Sequence, residues 1–196
     1  MLVLASASPR RRGLLTLAGF AFTVAPASIN EDSRLGENPL AYVTRLALEK
    51  AQSIYAQLDS QDDSTLVLGA DTTVVAPNGE VLGKPADAAD AARMLRLLSG
   101  ATHQVITGVA VVSAFGVETA AEVTLVSVLT LSDEEIAAYI ATGEPMDKAG
   151  AYAIQGHAAR WIPRIQGCYF NVVGLPLALV AGMLEGAGIR REQLVR

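Results

Sequence analysis

Cysteine and histidine are nearly absent from this chain, and each shortage excludes a class of site. The single cysteine, Cys168, cannot form an intrachain disulfide, which predicts a reducing compartment. The two histidines, His103 and His157, lack the paired spacing of a metal-binding helix. Neither a G-x-x-x-x-G-K-S/T loop nor a G-x-G-x-x-G fingerprint is present, so a nucleotide site here must be of another kind.

Basic charge and long apolar runs are also lacking. The 15 lysines and arginines are outnumbered by 20 aspartates and glutamates, for a formal net charge of -5. Because each contact with a nucleic-acid phosphate uses a cation, this balance argues against bulk polynucleotide binding but allows a small polyphosphate ligand. No apolar run is long enough to span a membrane, and the N-terminal charges follow the first apolar run, unlike those of a signal peptide. We therefore expect a cytoplasmic protein without a membrane partner.

Aliphatic residues are abundant. The chain is 51% hydrophobic and 18% charged over 196 residues, which fits one domain or two small lobes sharing a core. Patterning predicts helices that begin at Pro9 and Pro39, and others at 87–98, 132–142 and 177–184. It predicts strands at 2–5, 22–26, 66–75, 104–113, 122–131, 161–165 and 169–173, with a hairpin turn at 77–80. The predicted fold is a mixed α/β or α+β sheet with flanking helices.

The chain opens with a strand, a turn and a helix that carries arginines in its first turn. Ser8 before Pro9 is typical of a helix cap, and Arg10, Arg11 and Arg12 follow. Cations at a helix N-terminus are unfavourable unless an anion lies nearby, because that end of the helix is already partly positive. The pattern therefore indicates an anion site, with a solvated basic turn as the alternative.

Two carboxylates are candidates for chemistry. Asp71 lies at the end of the apolar run 66–70, where an unpaired charge is costly. A site residue is one interpretation, and an aspartate that accepts hydrogen bonds in a turn is the other. Glu31 lies in a polar loop after the second predicted strand and could join Asp71 in holding Mg²⁺. Asp32 is an equal candidate on chemistry alone.

Two lysines lie at boundaries of predicted elements. Lys50 comes late in the helix that begins at Pro39, and its spacing alone favours a solvated lysine. Lys84 precedes Pro85 and follows the predicted hairpin after Asp71, which makes it the better candidate for phosphate binding.

Five motifs, in order along nearly the whole chain, resemble those of the Maf family. They are Ser6-Ala7-Ser8-Pro9-Arg10-Arg11, Leu68-Gly69-Ala70-Asp71-Thr72, Gly83-Lys84-Pro85, Asp147-Lys148-Ala149-Gly150-Ala151-Tyr152 with Ile154-Gln155-Gly156, and Asn171-Val172-Val173-Gly174-Leu175-Pro176. The resemblance implies a fold like that of the inosine triphosphate pyrophosphatases, with an elongated sheet and two lobes around a deep cleft. Residues 1–196 would then form a single domain.

The same resemblance implies an activity. Members of the family hydrolyse nucleoside triphosphates between the α and β phosphates with Mg²⁺ or Mn²⁺, act in nucleotide house-cleaning, and were once described as inhibitors of septum formation. The arginine after Ser-Pro and the Ile-Gln-Gly segment resemble the branch that prefers dTTP and UTP. A homodimer is expected by the same analogy.

The positions that the resemblance carries over fall into three roles. The catalytic positions are Glu31, Lys50, Asp71 and Lys84. The metal ligands are Glu31 and Asp71. The substrate-binding positions are Ser8, Arg10, Arg11, Thr72 and Gln155, of which Arg10, Thr72 and Gln155 match positions that set base preference.

Two alternative functions are compatible with the same motifs. The enzyme could prefer 7-methyl-GTP or a modified purine triphosphate, although that branch usually carries an acidic residue where this chain has Gln155. Alternatively, the protein could be a nucleotide-binding regulator of septum formation that acts through a partner. Dependence of turnover on a metal would discriminate between the enzyme and the regulator.

Overall fold

A computed structural model describes residues 1–58 and 64–189 of the protein. Its strands are β1 (Leu2–Leu4), β2 (Thr23–Val24), β3 (Leu66–Val75), β4 (Val81–Leu82), β5 (Thr102–Ser113), β6 (Gly116–Ser127) and β7 (Arg164–Gln166). Its helices are α1 (Pro9–Leu17), α2 (Pro39–Tyr55), α3 (Ala88–Leu98), α4 (Asp133–Ala141), α5 (Tyr169–Val173) and α6 (Leu177–Gly186). Short 3-10 turns cover Glu144–Asp147, Ala149–Ala151 and His157–Trp161.

The strands form one mixed sheet, as the sequence predicts. Within the described residues its order is β2-β1-β3-β5-β6-β7, and β4 pairs with β3. Strand β1 is parallel to both of its neighbours, with Leu2 opposite Leu66 and Val3 opposite Thr23. Strands β3 and β4 are antiparallel, which confirms the hairpin expected from the Asn-Gly turn.

Local capping signals explain where several helices begin. The side chain of Ser8 accepts from the N–H of Arg11, and that of Asn38 accepts from Ala41. Ser132 and Glu135 form the reciprocal capping box that opens α4. These starts were predictable because each cap is made within four residues.

The described residues cluster into two compact units. The first comprises Met1–Asp71, Thr107–Glu122 and the chain from Gly174 on, and the second comprises Thr72–Ile106 and Val123–Val173. In the first unit, α2 packs its small side chains on β1, β3 and β5 through Val3, Ala5, Ala47, Ala51, Ile54, Val67, Ala110 and Val112. In the second, α3 and α4 share a larger core that includes Leu95, Leu98, Ile136, Tyr139 and Trp161.

Helix α2 lies unusually close to β3 because position 69 is a glycine. A Cβ on Gly69 would overlap the carbonyl oxygen of Ala47 and lie 2.9 Å from the backbone nitrogen of Ala51. Any larger residue would push the helix off the strand. This close approach determines which side chains of α2 meet those of β3.

The predicted strand at 169–173 is wrong, because these residues form helix α5. The segment is rich in aromatic and β-branched residues, namely Tyr169, Phe170, Val172 and Val173, and such residues favour strands. The Asn171 amide donates to the carbonyl of Val105 and the hydroxyl of Thr124, both at 2.9 Å. These long-range hydrogen bonds hold a turn of helix that the local pattern does not reveal.

Other boundaries also differ from expectation. Strand β3 continues through Asp71, where the apolar run ends, because Thr72 and Thr73 are themselves good strand residues. The predicted strand 122–131 begins earlier, at Gly116. Trp161 belongs to a 3-10 turn, so only Arg164–Gln166 is a strand in that region.

No helix in the described ranges is both long and apolar enough to cross a membrane.

Candidate active site

The first unit brings two of the predicted carboxylates onto one lysine. Lys50 Nζ lies 2.7 Å from Asp71 Oδ1 and 2.6 Å from Glu31 Oε1. Lys50 and Asp71 are 8% and 9% exposed, whereas the side chain of Glu31 is 58% exposed. The cluster therefore joins a buried ion pair to a carboxylate that reaches solvent.

The backbone arrangement explains this meeting. Lys50 immediately precedes Ala51, one of the α2 residues held against Gly69, and Asp71 lies two positions beyond Gly69 on β3. The expectation of a solvated Lys50 is therefore wrong, since the close contact of helix and strand directs its side chain inward. The interpretation of Asp71 as a strand-end or turn aspartate is also wrong, because it lies within β3.

Burial sets the electrostatics of Asp71. It raises the pKa of this carboxyl, and the opposing effects of Lys50 and Arg11 do not fully cancel the rise. A raised pKa makes the ionised carboxylate a stronger base than an ordinary aspartate. Asp71 thus combines burial, a cation partner and elevated basicity, a combination common in functional sites.

Arg11 is held by the turn that precedes α1 and by the segment between α5 and α6. Its Nε donates to the carbonyl of Gly174 at 2.9 Å and its Nη1 to the hydroxyl of Ser6 at 3.2 Å. Burial lowers the pKa of Arg11, and the charge of Asp71 opposes that effect. Since the guanidinium stays protonated in proteins, the unit holds a fixed cation within electrostatic range of Asp71.

Side chains of α2 hold the backbone of the loop that carries Glu31. Tyr42 Oη donates to the Glu31 carbonyl at 2.8 Å, and Arg45 Nη2 donates to the Asp32 carbonyl at 3.1 Å. Arg45 is itself anchored to Glu37 through paired contacts of 2.6 and 2.7 Å. These contacts distinguish the two carboxylates that the sequence left equal, because Glu31 reaches Lys50 while the exposed Asp32 contributes backbone groups.

The remaining predicted residues divide between the units. In the first, Ser8 caps α1 and Arg10 is half-buried in its first turn. In the second, Thr72 is half-buried, while Lys84 and Gln155 are exposed. The structure thus groups Glu31, Lys50, Asp71 and Arg11, and the roles of the second-unit residues stay predictions.

Several positioning residues were missed in the sequence. Ser6 lies in the first motif, but nothing local indicates that it accepts from Arg11. The pairing of Arg45 with Glu49 follows a readable i,i+4 spacing, with 3.2 Å between Nη1 and Oε2. The contact of Tyr42 with Glu31 links residues eleven apart and had no signal.

The carboxylate pair supplies the oxygen donors that a hard divalent cation prefers. Both oxygens lie on one ammonium, so their separation cannot exceed the sum of the two contact distances. Mg²⁺ is commonly held by one or two carboxylates, with substrate phosphates and waters completing the shell. Over residues 1–58 and 64–189 no group of three or more His, Cys, Asp or Glu side chains is arranged to hold a metal ion.

Comparison with known proteins gives a consistent result. The profile of a family described as Maf-like protein matches residues 1–187. A dTTP/UTP pyrophosphatase of Koribacter versatilis is 53% identical over 188 residues, covering 96% of this chain and 95% of that protein. A dTTP/UTP pyrophosphatase of Geobacter sulfurreducens is 52% identical over 189 residues, covering 95% and 96%.

A solved structure supports the expected architecture. The Staphylococcus aureus Ham1 protein superposes with a TM-score of 0.52 at 13% identity, covering 94% of this chain and 98% of that one. At this identity the likeness concerns the fold alone.

Proposed function

Because the chain belongs to the family of Maf-like proteins, we propose that it hydrolyses nucleoside triphosphates between the α and β phosphates, with dTTP and UTP as preferred substrates. The products are the nucleoside monophosphate and pyrophosphate. The observation that carries the proposal is the buried Lys50–Asp71 pair joined to Glu31, with Arg11 nearby. This arrangement supplies a base and cations together, as phosphoryl transfer requires.

Asp71 acts on the attacking water. Its raised pKa lets the carboxylate accept a proton from water more readily than an ordinary aspartate would. Lys50 stabilises the ionised form and restricts Asp71 to one orientation through the 2.7 Å contact. Water oriented in this way attacks the α phosphorus, and pyrophosphate leaves.

Cations of the chain stabilise the charge that develops on the phosphates. Arg11 is preorganised by Ser6 and Gly174, so little reorganisation accompanies binding of the anion. Arg10 and the N–H groups at the start of α1 add to the same positive end. Lys84 of the second unit is proposed to contact the leaving pyrophosphate.

Glu31 and Asp71 are the proposed ligands of Mg²⁺ or Mn²⁺. When bound, the metal supplies Lewis-acid stabilisation of the triphosphate oxygens. Exposure of Glu31 suits this role, because a carboxylate open to solvent can turn towards an incoming ion.

Gln155, with Arg10 and Thr72, is proposed to select the base. An amide side chain both donates and accepts, which matches the adjacent O4 and N3–H groups of thymine and uracil. Glu at this position cannot donate to O4, so Gln155→Glu is expected to lower dTTP and UTP turnover more than that of other nucleotides. An unchanged preference would contradict this role.

The decisive experiment is a panel of nucleoside triphosphates with Mg²⁺ or Mn²⁺, assayed for pyrophosphate and monophosphate. We expect both products, fastest from dTTP and UTP, and loss of turnover with chelator. Fastest release from 7-methyl-GTP or a modified purine triphosphate would keep the reaction and overturn the preference. No turnover of any nucleotide would favour the regulator of septum formation.

A matched pair of variants tests the carboxylate assignment in the same assay. Glu31→Gln is expected to weaken metal-dependent turnover by about tenfold or more, since it removes a proposed ligand. Asp32→Asn alters the neighbouring exposed carboxylate and is expected to leave turnover unchanged. Equal effects of the two would contradict the choice of Glu31.

Three finer statements stay predictions. The single two-lobed domain with one cleft and the homodimer rest on the family resemblance. The cytoplasmic location rests on the single cysteine, which predicts a reducing compartment. Light scattering coupled to gel filtration tests the dimer, and fractionation of cells tests the location.

A further inference from the structure

The turn that carries Gln155 is closed by its own backbone. The N–H of Gly156 donates to the carbonyl of Ala153 at 3.0 Å, which leaves Ile154 and Gln155 at the centre of the turn. The side chain of Gln155 is exposed. Two side chains of the same unit, those of Tyr139 and Glu144, hold this turn at its ends.

Tyr139 holds the first end. Its ring is buried in the core of the second unit and packs edge-to-face on Trp161, with centroids 5.1 Å apart. Its hydroxyl accepts from the N–H of Ala153 at 3.1 Å and donates to Glu144 Oε1 at 2.7 Å. Burial and the bond to Glu144 raise the pKa of Tyr139, so it remains a phenol that can donate.

Glu144 holds the second end. Its carboxylate accepts from the N–H of His157 at 3.1 and 3.2 Å, and the His157 ring contacts it through Nδ1 at 2.8 Å. Lys148 Nζ donates to the carbonyl of Glu144 at 2.7 Å, which fixes its backbone. The two ends of the turn are thus connected through Tyr139 and Glu144.

Gly156 makes room for this contact. A Cβ at position 156 would overlap the carboxylate of Glu144. Packing therefore explains the glycine after Gln155, because the absence of a Cβ lets the carboxylate of Glu144 lie directly against the turn backbone. The closeness argues that the turn and Glu144 move as one body.

We propose that Glu144 is a positioning residue for base selection, because with Tyr139 it fixes both ends of the turn that presents Gln155. The inference rests on the proposed function of Gln155 and adds residues that act through it. An ordered turn lowers the entropy lost when the Gln155 amide meets the base, so the contact discriminates more strongly.

The first test is a double-mutant cycle of Glu144→Gln and Gln155→Ala. An amide at position 144 brings NH₂ donors towards the donors of Tyr139 and His157, which loosens the turn without changing side-chain size. We expect Glu144→Gln to raise the KM for dTTP and UTP by roughly tenfold with kcat nearly unchanged. In the Gln155→Ala background the same change should add less than about twofold.

Glu134→Gln is the matched control, because Glu134 is an exposed carboxylate in the first turn of α4. It should leave the KM and the base preference unchanged. Additive effects of Glu144→Gln and Gln155→Ala would overturn the positioning role, as would an equal loss of turnover for every nucleotide. A wild-type protein without pyrophosphate release would instead contradict the proposed function.

Hydrogen exchange gives a readout that does not depend on turnover. In Glu144→Gln, the amides of Ala153 and His157 should exchange at least about tenfold faster, while those of β5 keep their protection. Unchanged exchange at both amides would overturn the inference even if activity falls.

Discussion

The cluster around Lys50 and the cluster around Glu144 each hold a carboxylate that is at least partly buried. The two clusters compensate the charge of that carboxylate in different ways. Asp71 is compensated by an ammonium and a guanidinium, and burial still raises its pKa. For Glu144 burial also acts to raise the pKa, but hydrogen bonds from His157 and Tyr139 outweigh it and leave the pKa lowered. Asp71 is thus kept more basic than an ordinary aspartate, whereas Glu144 is kept ionised and fixed, which suits the positioning role proposed for it.

The two clusters also differ in the elements that build them. Lys50 and Asp71 come from a long helix and a central strand, held in register by a glycine contact. Glu144 and His157 come from short turns between α4 and β7, and Tyr139 comes from α4 itself. We therefore expect substitutions in the first cluster to act through lost chemistry or through disturbed packing of α2 and β3. Substitutions in the second cluster should act by loosening a turn.

The largest effect should follow Asp71→Asn. The amide keeps the shape of the side chain but cannot accept a proton, so kcat should fall by about a thousandfold while the protein still binds dTTP. Steady-state kinetics and calorimetric titration with dTTP measure the two properties. Retention of more than about a tenth of wild-type kcat would remove Asp71 from the mechanism.

Gly69→Ala should damage the packing that places the first cluster. Its Cβ meets backbone atoms of α2, which cannot move like a side chain, so the free energy of unfolding should fall by about 3 kcal/mol or more. Gly13→Ala is the matched control, because a Cβ there meets nothing within 4 Å and alanine favours the helix. Urea unfolding measures both; equal stability of the two variants would contradict the close approach of α2.

His103 allows a comparison of pH dependence in the second unit. It is 1% exposed and contacts Tyr152 Oη through Nε2 at 2.8 Å, and burial lowers its pKa from 6.5 to about 4. Between these two pKa values His103 therefore binds a proton in the unfolded chain and stays neutral in the folded chain. The free energy of unfolding should keep this contribution in full above pH 6.5. It should decrease by up to about 3 kcal/mol as the pH falls from 6.5 to 4.

The His103→Gln variant isolates this contribution. The stability difference between it and the wild type should shrink as pH falls through the same window, because glutamine does not titrate. Denaturant unfolding at several pH values measures the difference. A difference independent of pH would show that folding does not lower the pKa of His103.

The smallest expected effect is a displaced titration of Asp71 in the metal-free protein. Burial raises the pKa of this carboxyl above the ordinary aspartate value. Followed by NMR without added metal, the Asp71 carboxyl should therefore titrate at a higher pH than an ordinary aspartate. A midpoint at or below the ordinary value would contradict burial as the dominant influence on Asp71.

Much of the fold was predictable because its signals are local. Ser8, Asn38 and Ser132 cap their helices within four residues, and the Asn-Gly turn fixes the β3–β4 hairpin. The inward Lys50 was not predictable from spacing, since its burial depends on the contact of α2 with Gly69 of a distant strand. Helix α5 was missed for the same reason, because hydrogen bonds of Asn171 to distant strands hold it.

The site was predictable in part. The motifs nominated Asp71 and Arg11, and the family resemblance added Glu31 and Lys50; the first unit brings these four residues together. The same motifs could not reveal Glu144, because its contacts depend on how the turns of the second unit pack around Tyr139. Gly156 was visible as a motif residue, but its role became clear only from the carboxylate that lies against it.

The central claim is that water attacks the α phosphorus of the nucleotide and that pyrophosphate is the leaving group. Hydrolysis of dTTP in water labelled with heavy oxygen, analysed by mass spectrometry of both products, tests it directly. The account predicts the label in the nucleoside monophosphate and none in pyrophosphate. Label in pyrophosphate, or release of inorganic phosphate in place of pyrophosphate, would contradict it.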